Sequence, residues 1–261
     1  MRVEVAGCAI CAPGLPDWPT AVEVLTGHAL YDASKTRDPQ AIALPANERR
    51  RLPITARWAL CVGNEALAAA SADTKTIATV FTSCGSDGEI THQICESLAR
   101  DPPDVSPTRF HNSVHNAPSG YWSIGLASHA PSTSLCAFEG SFAAGLVEAA
   151  AQVVTEQRPV LLIAYDVPYP APLASMWHVT RSFCAALVLT PVSDADSPRL
   201  AIDIVDEALK SDWPEAIPAE LRVNPAAAAL ALLAPISRRE SGRVVLPYHA
   251  TNAVVVSVSW S

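Results

Sequence analysis

The pattern of apolar and polar positions predicts seven strands. Val3–Cys11 alternates and then becomes apolar, Thr76–Thr82 is rich in β-branched residues, and Val160–Tyr165 is apolar throughout. Each pattern is typical of a strand, and a fully apolar one predicts burial on both faces of a sheet. The other strands are predicted over Pro131–Ala137, Phe183–Thr190, Arg199–Val205 and Ala253–Trp260.

Apolar residues that recur every three or four positions predict helices between these strands. After a loop-rich stretch that extends to about Pro45, the pattern predicts one long amphipathic helix from Asn47 to Ala69. Further helices are predicted over residues 89–100, 116–126, 141–154 and 224–233. Because strand, helix and strand follow one another, the chain is predicted to form βαβ units in one α/β domain.

Composition limits the possible functions. Hydrophobic residues make up 49% of the chain and charged residues 17%, which excludes disorder and favours a large buried interface with another subunit. The net charge of −8 argues against nucleic acid and anionic membranes. The longest apolar stretch, Ala226–Ile236, is too short to span a bilayer, and the N-terminus lacks a signal-peptide pattern. We therefore expect no membrane span and a cytoplasmic location.

The candidate ligand groups are scattered. Cys8 and Cys11 form a Cys-x-x-Cys without a second pair or a histidine cluster, which favours two buried thiols near the first strand over zinc or a redox dithiol. Asp166 follows a predicted strand, where a loop cap is the favoured role. The spacings of His111, His115 and His129 fit no common ligand pattern, so neither a metal nor a cofactor is predicted.

The most informative segment joins a predicted strand to a helix. Thr133–Ala137 provides the strand, Phe138-Glu139 the turn, and Gly140-Ser141 the small residues after which a helix begins at once. A nucleophile elbow has this construction, and the N–H groups of the helix would acidify a thiol at the turn. Here a glutamate occupies the place of the nucleophile.

The same segment resembles a known family. Ala130–Ser141 is similar to Gly-Pro-Ser-x-x-Ile-x-Thr-Ala-Cys-Ser-Ser of the β-ketoacyl synthases in the thiolase superfamily, which puts Glu139 on the catalytic cysteine. Residues 47–67 resemble the family's Arg-Arg-Met…Ala-Ala-x-Glu-Ala-Leu region, and residues 106–124 resemble its Pro…Asn-Met-Ala-Ala-Gly-x-x-Ser-Ile segment. Together these matches cover roughly residues 45–205.

This resemblance implies a thiolase-like layered αβαβα fold with a mixed sheet. Residues 1–261 are expected to form a single β-ketoacyl-synthase-like domain. Its N-terminal thiolase-type half would span residues 1–170, and residues 171–261 would form an abbreviated second half.

Two departures from the family pattern bear on activity. The chain has no His-Gly-Thr segment, and His249 lies where the family has a glycine-rich turn. Without a thiolate no acyl-enzyme forms, and without the histidine pair nothing polarises the carbonyl group during decarboxylation. A carboxylate at the turn would also repel the malonyl carboxylate and the enolate. We therefore predict no catalytic residue, and a structural or regulatory elbow.

The family includes chain length factors, which lack the cysteine, pair with an active ketosynthase and help to bound its growing acyl chain. This chain most resembles the small ones that accompany aryl-polyene and xanthomonadin-type pigment synthases. The resemblance implies a heterodimer in polyene or fatty-acid-type biosynthesis. Because acyl carrier proteins are acidic and this chain has a net charge of −8, we expect the carrier protein to dock on the partner. Residues expected at the partner's tunnel or interface are Phe110, His111, Asn112, Asn116, Ser134 and Cys136.

Two other classes of function stay open. The chain could be a free-standing acyltransferase or malonyl decarboxylase that uses Glu139, or a homodimeric acyl-binding scaffold. Cys136 could be a displaced nucleophile, although its place within a predicted strand favours a buried thiol.

Overall fold

The computed structural model of the chain describes residues 1–40, 44–85, 87–193, 195–207, 209–211 and 213–260. These residues form one mixed eight-stranded sheet with the strand order β3-β2-β4-β5-β1-β6-β8-β7. β2 pairs in parallel with β3 and β4, and the other neighbours are antiparallel. The strands are β1 Arg2–Cys11, β2 Ala78–Ser83, β3 Ser132–Cys136, β4 Val160–Asp166, β5 Phe183–Thr190, β6 Arg199–Val205, β7 Gly242–His249 and β8 Asn252–Ser259.

Helices cover both faces of the first five strands in this order. They are α1 Trp18–Leu25, α2 Ala46–Arg51, α3 Ile54–Ala70, α4 Gly88–Leu98, α5 Pro107–Asn112, α6 Ala117–Leu126, α7 Ser141–Glu156, α8 Ala219–Arg222 and α9 Ala229–Arg238. Short 3₁₀ turns lie at Phe138–Gly140, Leu173–Ser175 and Pro225–Ala228. Among the described residues, no helix has the length and apolar character needed to cross a bilayer.

The sheet curls around two helices, α7 and α9. α7 packs against β2 and β4 and also against β7, which lies at the far end of the same sheet. α9 packs on β7 and β8, whereas α3 and α6 share a separate core on the opposite face of the first strands. Helices and strands therefore alternate in layers, which confirms the predicted layered α/β fold with a mixed sheet.

The single long helix predicted from Asn47 to Ala69 is wrong. Leu52 has an extended backbone (φ −67°, ψ 121°), and Pro53 precedes the first residue of α3. The ring of a proline disfavours helical geometry in the residue before it. The chain therefore changes direction between α2 and α3.

Other differences lie in segments with weaker patterns. α1 occupies part of the stretch predicted as loop, where Asp17 caps it by accepting a 2.8 Å hydrogen bond from the backbone N–H of Thr20. The helix predicted over residues 224–233 starts as a 3₁₀ turn and continues through Pro235 to Arg238. α5 and β7 have no counterpart among the predicted elements, and β7 contains Pro247, which is unusual within a strand.

The two cysteines of the Cys-x-x-Cys lie on opposite faces of β1. Cys8 is buried in the core beside α7, and Cys11 is buried in the core beside α3. Side chains three residues apart on a strand point to opposite faces. The prediction of two buried thiols is confirmed, and this geometry prevents them from forming a dithiol site with each other.

Candidate functional site at the elbow

The elbow between β3 and α7 is a tight turn with a strained residue. β3 ends at Cys136, the 3₁₀ turn covers Phe138–Gly140, and α7 begins at Ser141. Phe138 has a φ of +50°, in the left-handed region that bulky side chains rarely adopt, and its ring is 65% exposed. The strained position of this turn is thus Phe138, and the exposed Glu139 follows it.

A buried serine ties the elbow to the neighbouring strand. The Ser141 Oγ accepts a hydrogen bond from the backbone N–H of Ala137 at 3.1 Å, and its hydroxyl lies 2.7 Å from the carbonyl oxygen of Ser83 and 2.6 Å from that of Phe138. The Thr82 hydroxyl donates to the Ser141 carbonyl at 2.7 Å. These bonds join the start of α7 to the end of β2.

Gly140 brings the end of β7 against the elbow. A Cβ atom on Gly140 would lie 2.0 Å from the carbonyl oxygen of Tyr248, closer than any real Cβ contact. Only glycine permits this approach of two backbones. The elbow and the last part of the chain therefore form one site.

A cleft of about 750 Å³ opens beside the elbow. Its walls come from the elbow, from the end of β7 and from the loop between β4 and β5, with lining residues that include Phe138, Glu139, Trp177, His178, Tyr248 and His249. No group of three or more histidine, cysteine or acidic side chains suited to a metal occurs among the described residues. The cleft combines aromatic walls with a few ionisable groups.

Neither thiol near the elbow is activated. Cys84 lines the cleft, and its pKa is raised by burial and by the nearby carboxylate of Asp166. Partial desolvation of the thiol likewise raises the pKa of Cys136, although the residue as a whole is exposed, and its Sγ lies 3.5 Å from the carbonyl oxygen of Gly85. Both thiols are therefore protonated at neutral pH and are weak nucleophiles. Cys136 itself is exposed at the end of an edge strand, so the prediction that it is buried is wrong.

Asp166 lies beneath the cleft at the end of β4. Its buried carboxyl accepts hydrogen bonds from the backbone N–H of Cys84 at 2.8 Å and of Ala226 at 3.1 Å. Burial raises the pKa of this carboxyl to about 7. The prediction of a loop cap is confirmed, and the cap joins two segments that are distant in the sequence.

The residues predicted at a partner interface differ in exposure. Phe110, His111 and Asn116 are exposed, and Ser134 is half-buried on the edge strand β3. Asn112 is only 4% exposed. Its amide finds its hydrogen-bond partners inside the chain, and its place at a partner interface stays a prediction.

The side chain of Asn112 holds α5 against α2. Its Nδ2 donates to the carbonyl oxygen of Arg51 at 2.8 Å, and its Oδ1 accepts from the Tyr121 hydroxyl at 2.9 Å. Buried polar groups are normally paired in this way. Asn112 therefore positions the segment that carries Phe110.

Three large apolar side chains on α5, on α6 and in the turn between them are exposed. Phe110 on α5, Val114 in the following turn and Ile124 on α6 are 69%, 51% and 55% exposed. The helical pattern could have indicated that Ile124 is exposed, because Tyr121 and Trp122 already supply the buried side of α6. We call Phe110, Val114 and Ile124 the apolar surface.

A cluster of arginines also lies on this part of the chain. Arg49, Arg50 and Arg51 of α2 and Arg109 of α5 are exposed, and none forms an ion pair within the described part of the chain. The hydrogen bond from Asn112 to Arg51 brings the two helices together. We call these four residues the arginine cluster. The local charge of this surface is therefore positive, although the net charge of the whole protein is −8.

A curled mixed sheet around central helices, with a strained elbow that opens on a cleft, defines a thiolase-like α/β protein. The family model for the β-ketoacyl synthase N-terminal domain matches residues 26–244, and the chain belongs to this family. No curated protein sequence matches the chain.

Several solved structures share the fold over almost the whole chain. One, described as a ketosynthase (ApeO) in complex with its chain length factor (ApeC) from Xenorhabdus doucetiae, is 23% identical with a TM-score of 0.75 and covers 98% of this chain and 99% of its own. The ishigamide ketosynthase/chain length factor is 12% identical with a TM-score of 0.72 and 99% coverage of both chains.

A third similar structure is a type II polyketide-synthase complex. It is described as AntDE:AntF, an acyl carrier protein in complex with its ketosynthase bound to the hexaketide. It is 11% identical with a TM-score of 0.74, and it covers 100% of this chain and 99% of its own. At these identities the three structures show the fold alone.

Proposed function

We propose that the chain is a non-condensing, chain-length-factor-like subunit. It pairs with an active β-ketoacyl synthase in the cytoplasm and shapes the acyl tunnel during polyene or fatty-acid-type biosynthesis of the aryl-polyene kind. The observation that carries this proposal is the elbow, where Phe138 and Glu139 occupy the turn and the nearby thiols are protonated.

The chemistry of the elbow supports a non-condensing role. Acyl transfer needs a nucleophile at the turn, and Phe138 and Glu139 occupy the turn instead. The adjacent carboxylate of Glu139 would oppose the negative charge that develops during condensation. A subunit with this turn contributes shape to an assembly, and its partner supplies the thiolate.

The surface beside the elbow supports pairing with another subunit. β3 is an edge strand with half-exposed side chains, so its outer backbone groups are available to a strand of a second protein. The apolar surface adds side chains that gain from burial. The solved ketosynthase and chain length factor complexes have chains of almost the same length, which supports this size for such a subunit.

The experiment is co-expression with a full-length ketosynthase encoded beside this chain. We expect a stable 1:1 complex by native mass spectrometry and products whose length changes when this subunit is altered. A ketosynthase that is fully active, and makes products of unaltered length without this chain, would contradict the proposal.

One observation favours a second candidate function. Glu139 is exposed in the cleft that His178 and His249 also line, which favours a free-standing acyltransferase or malonyl decarboxylase as the alternative. Purified chain is incubated with malonyl carrier protein, alongside the Glu139→Gln variant. A robust rate that depends on Glu139 would favour the enzyme, and no rate above background would favour the subunit.

Native mass measurement of the chain alone addresses the homodimeric scaffold. A symmetric dimer that persists when the ketosynthase is added would support the scaffold. Exchange of the dimer for a 1:1 complex would support the subunit.

The arginine cluster indicates where the acyl carrier protein could approach the complex. Carrier proteins are acidic, and four exposed arginines on α2 and α5 provide local attraction despite a net charge of −8. We include in the proposal that the carrier protein approaches the complex over this face while its acyl group reaches the partner. The similar structure that contains an acyl carrier protein supports such an encounter in this fold.

A further inference from the structure

One buried carboxyl joins two walls of the elbow cleft. Asp166 Oδ1 accepts a hydrogen bond from the backbone N–H of Cys84 at 2.8 Å, and Oδ2 accepts one from the backbone N–H of Ala226 at 3.1 Å. Cys84 follows β2, whereas Ala226 lies in the 3₁₀ turn Pro225–Ala228, and both segments line the cleft. Through these two hydrogen bonds, the Asp166 carboxyl links the two segments to each other.

The two N–H groups differ in what else can satisfy them. The Ala226 N–H also lies 2.9 Å from Oδ1 of Asn224, which is fully buried. Asn224 Nδ2 donates to the carbonyl oxygens of Asp166 at 3.1 Å and Arg181 at 2.9 Å, which holds its amide in this orientation. The Cys84 N–H has Oδ1 of Asp166 as its described acceptor. Loss of the bond at Oδ2 therefore leaves the Ala226 N–H paired, whereas loss of the bond at Oδ1 would leave the Cys84 N–H without that acceptor.

Among the described residues, the groups that act on this carboxyl include no cation. The titratable groups that face it are the thiols of Cys84, Cys136 and Cys184 and the hydroxyls of Tyr165 and Tyr169. Burial opposes ionisation, whereas hydrogen bonds from the Cys84 thiol, the Cys84 N–H and the Ala226 N–H favour it. The pKa of Asp166 is raised to about 7 by this balance, so both protonation states are populated near neutral pH.

We propose that Asp166 is a protonation-dependent positioning residue for the elbow cleft. The ionised carboxyl holds the Pro225–Ala228 turn against the end of β2. Protonation occurs at Oδ2, because the Ala226 N–H can then rely on Asn224 while the Cys84 N–H keeps Oδ1. The turn then loses this link to the end of β2, whereas the bonds from Asn224 to the carbonyl oxygens of Asp166 and Arg181 remain. This wall of the cleft can therefore shift relative to β2 while it stays attached to β4.

The contact at Asp166 affects the shape of the cleft. It does so regardless of whether the chain catalyses condensation, pairs with a ketosynthase or binds acyl groups. Absence of the proton-dependent contact would leave the proposed subunit role untouched, and failure of the subunit role would leave the contact in place.

Nuclear magnetic resonance of the whole protein tests the proposal directly. The ¹³C resonance of the Asp166 carboxyl and the ¹⁵N resonances of Ala226 and Cys84 are followed from pH 5 to pH 9. We expect the carboxyl to titrate with a midpoint near 7. The Ala226 amide should move with the same midpoint and exchange with solvent faster at low pH, after correction for the intrinsic exchange rate, whereas the Cys84 amide should stay protected.

Variants separate this effect from other titrations in the cleft. Asp166→Asn should abolish the transition at Ala226, and Asp203→Asn, at an exposed position on β6, should preserve it. His178→Gln combined with His249→Gln removes the imidazoles that line the cleft and should also preserve it. If Asp166→Asn does not fold, the wild-type carboxyl titration and the contrast between the two amides decide the matter.

Three results would overturn the proposal. The first is an Asp166 carboxyl that stays ionised across this pH range. The second is an Ala226 amide that does not respond, or that responds equally with the Cys84 amide. The third is a transition that disappears with the two histidines.

Discussion

The carbonyl oxygen of Tyr248 lies 2.0 Å from the point that a Cβ atom on Gly140 would occupy. Two residues that are distant in the sequence thus meet backbone to backbone at the elbow. The contact joins the N-terminal segment that carries the turn to the C-terminal segment that carries β7, and both segments line the cleft. The shape of the site consequently depends on a position where only hydrogen fits.

This contact predicts the effect of a methyl group. Gly140→Ala must push β7 away from the elbow, and overpacking of this kind costs about 1–3 kcal/mol of unfolding free energy. Urea denaturation followed by circular dichroism measures the loss. The matched control is Gly120→Ala in α6, where the added methyl group would meet nothing within 4 Å and alanine should stabilise the helix by roughly 0.5–1 kcal/mol. Equal stability of the two variants would contradict the contact.

Asp166 predicts a pH dependence of stability. Its pKa is about 7 in the folded chain and 3.8 as the reference value, so the folded state binds more protons between these limits. The unfolding free energy should therefore fall as pH rises from about 4 to 7, by up to about 1.4 kcal/mol per pH unit from this group. Above its folded pKa the contribution should stay constant.

Denaturation of wild type and Asp166→Asn at matched pH values isolates that contribution. The difference in unfolding free energy between the two proteins should change across this range and level off above pH 7. A difference that is independent of pH would show that Asp166 does not titrate as described.

The apolar surface predicts selective loss of pairing. Phe110→Asp and Ile124→Asp should each weaken the proposed heterodimer by roughly 5- to 150-fold, because a buried charge replaces an apolar contact, at a cost of about 1–3 kcal/mol. Both side chains are more than half exposed, so the isolated chain should keep its stability. Titration calorimetry with the purified ketosynthase measures the affinity.

Ile204→Asp provides the control for this surface. Ile204 is 50% exposed on β6, which is separated from the edge strand β3 by four strands. Its substitution should leave the affinity unchanged. If all three variants weaken the complex equally, the interface lies elsewhere or the chain has lost its fold.

The arginine cluster predicts salt-sensitive binding of the carrier protein. Replacement of Arg49, Arg50 and Arg51 by glutamate should weaken binding of an acidic carrier to the complex several-fold at low salt and much less at high salt. The control is Arg243→Glu, which reverses one exposed charge on β7. Unchanged carrier affinity in the triple variant would assign carrier docking to the ketosynthase alone.

Local patterns determined most of the strands. Phe183–Thr190 and Arg199–Val205 have the predicted bounds, because an apolar or alternating run between turn residues specifies an extended segment by itself. The break between α2 and α3 was also accessible from sequence, because Pro53 restricts the residue before it. The strand, turn and helix of the elbow follow from the same kind of local signal.

Tertiary structure alone decided what the polar residues do. Asn112 is a polar residue in a segment for which the sequence predicted no element, yet its amide is buried because Arg51 and Tyr121 supply its partners. Asp166 and Ala226 are 60 residues apart, and only the curled sheet brings the carboxyl to that N–H. Sequence periodicity reports how a segment alternates between core and solvent. It does not report which distant backbone group approaches a side chain, because that approach depends on the packing of the whole sheet.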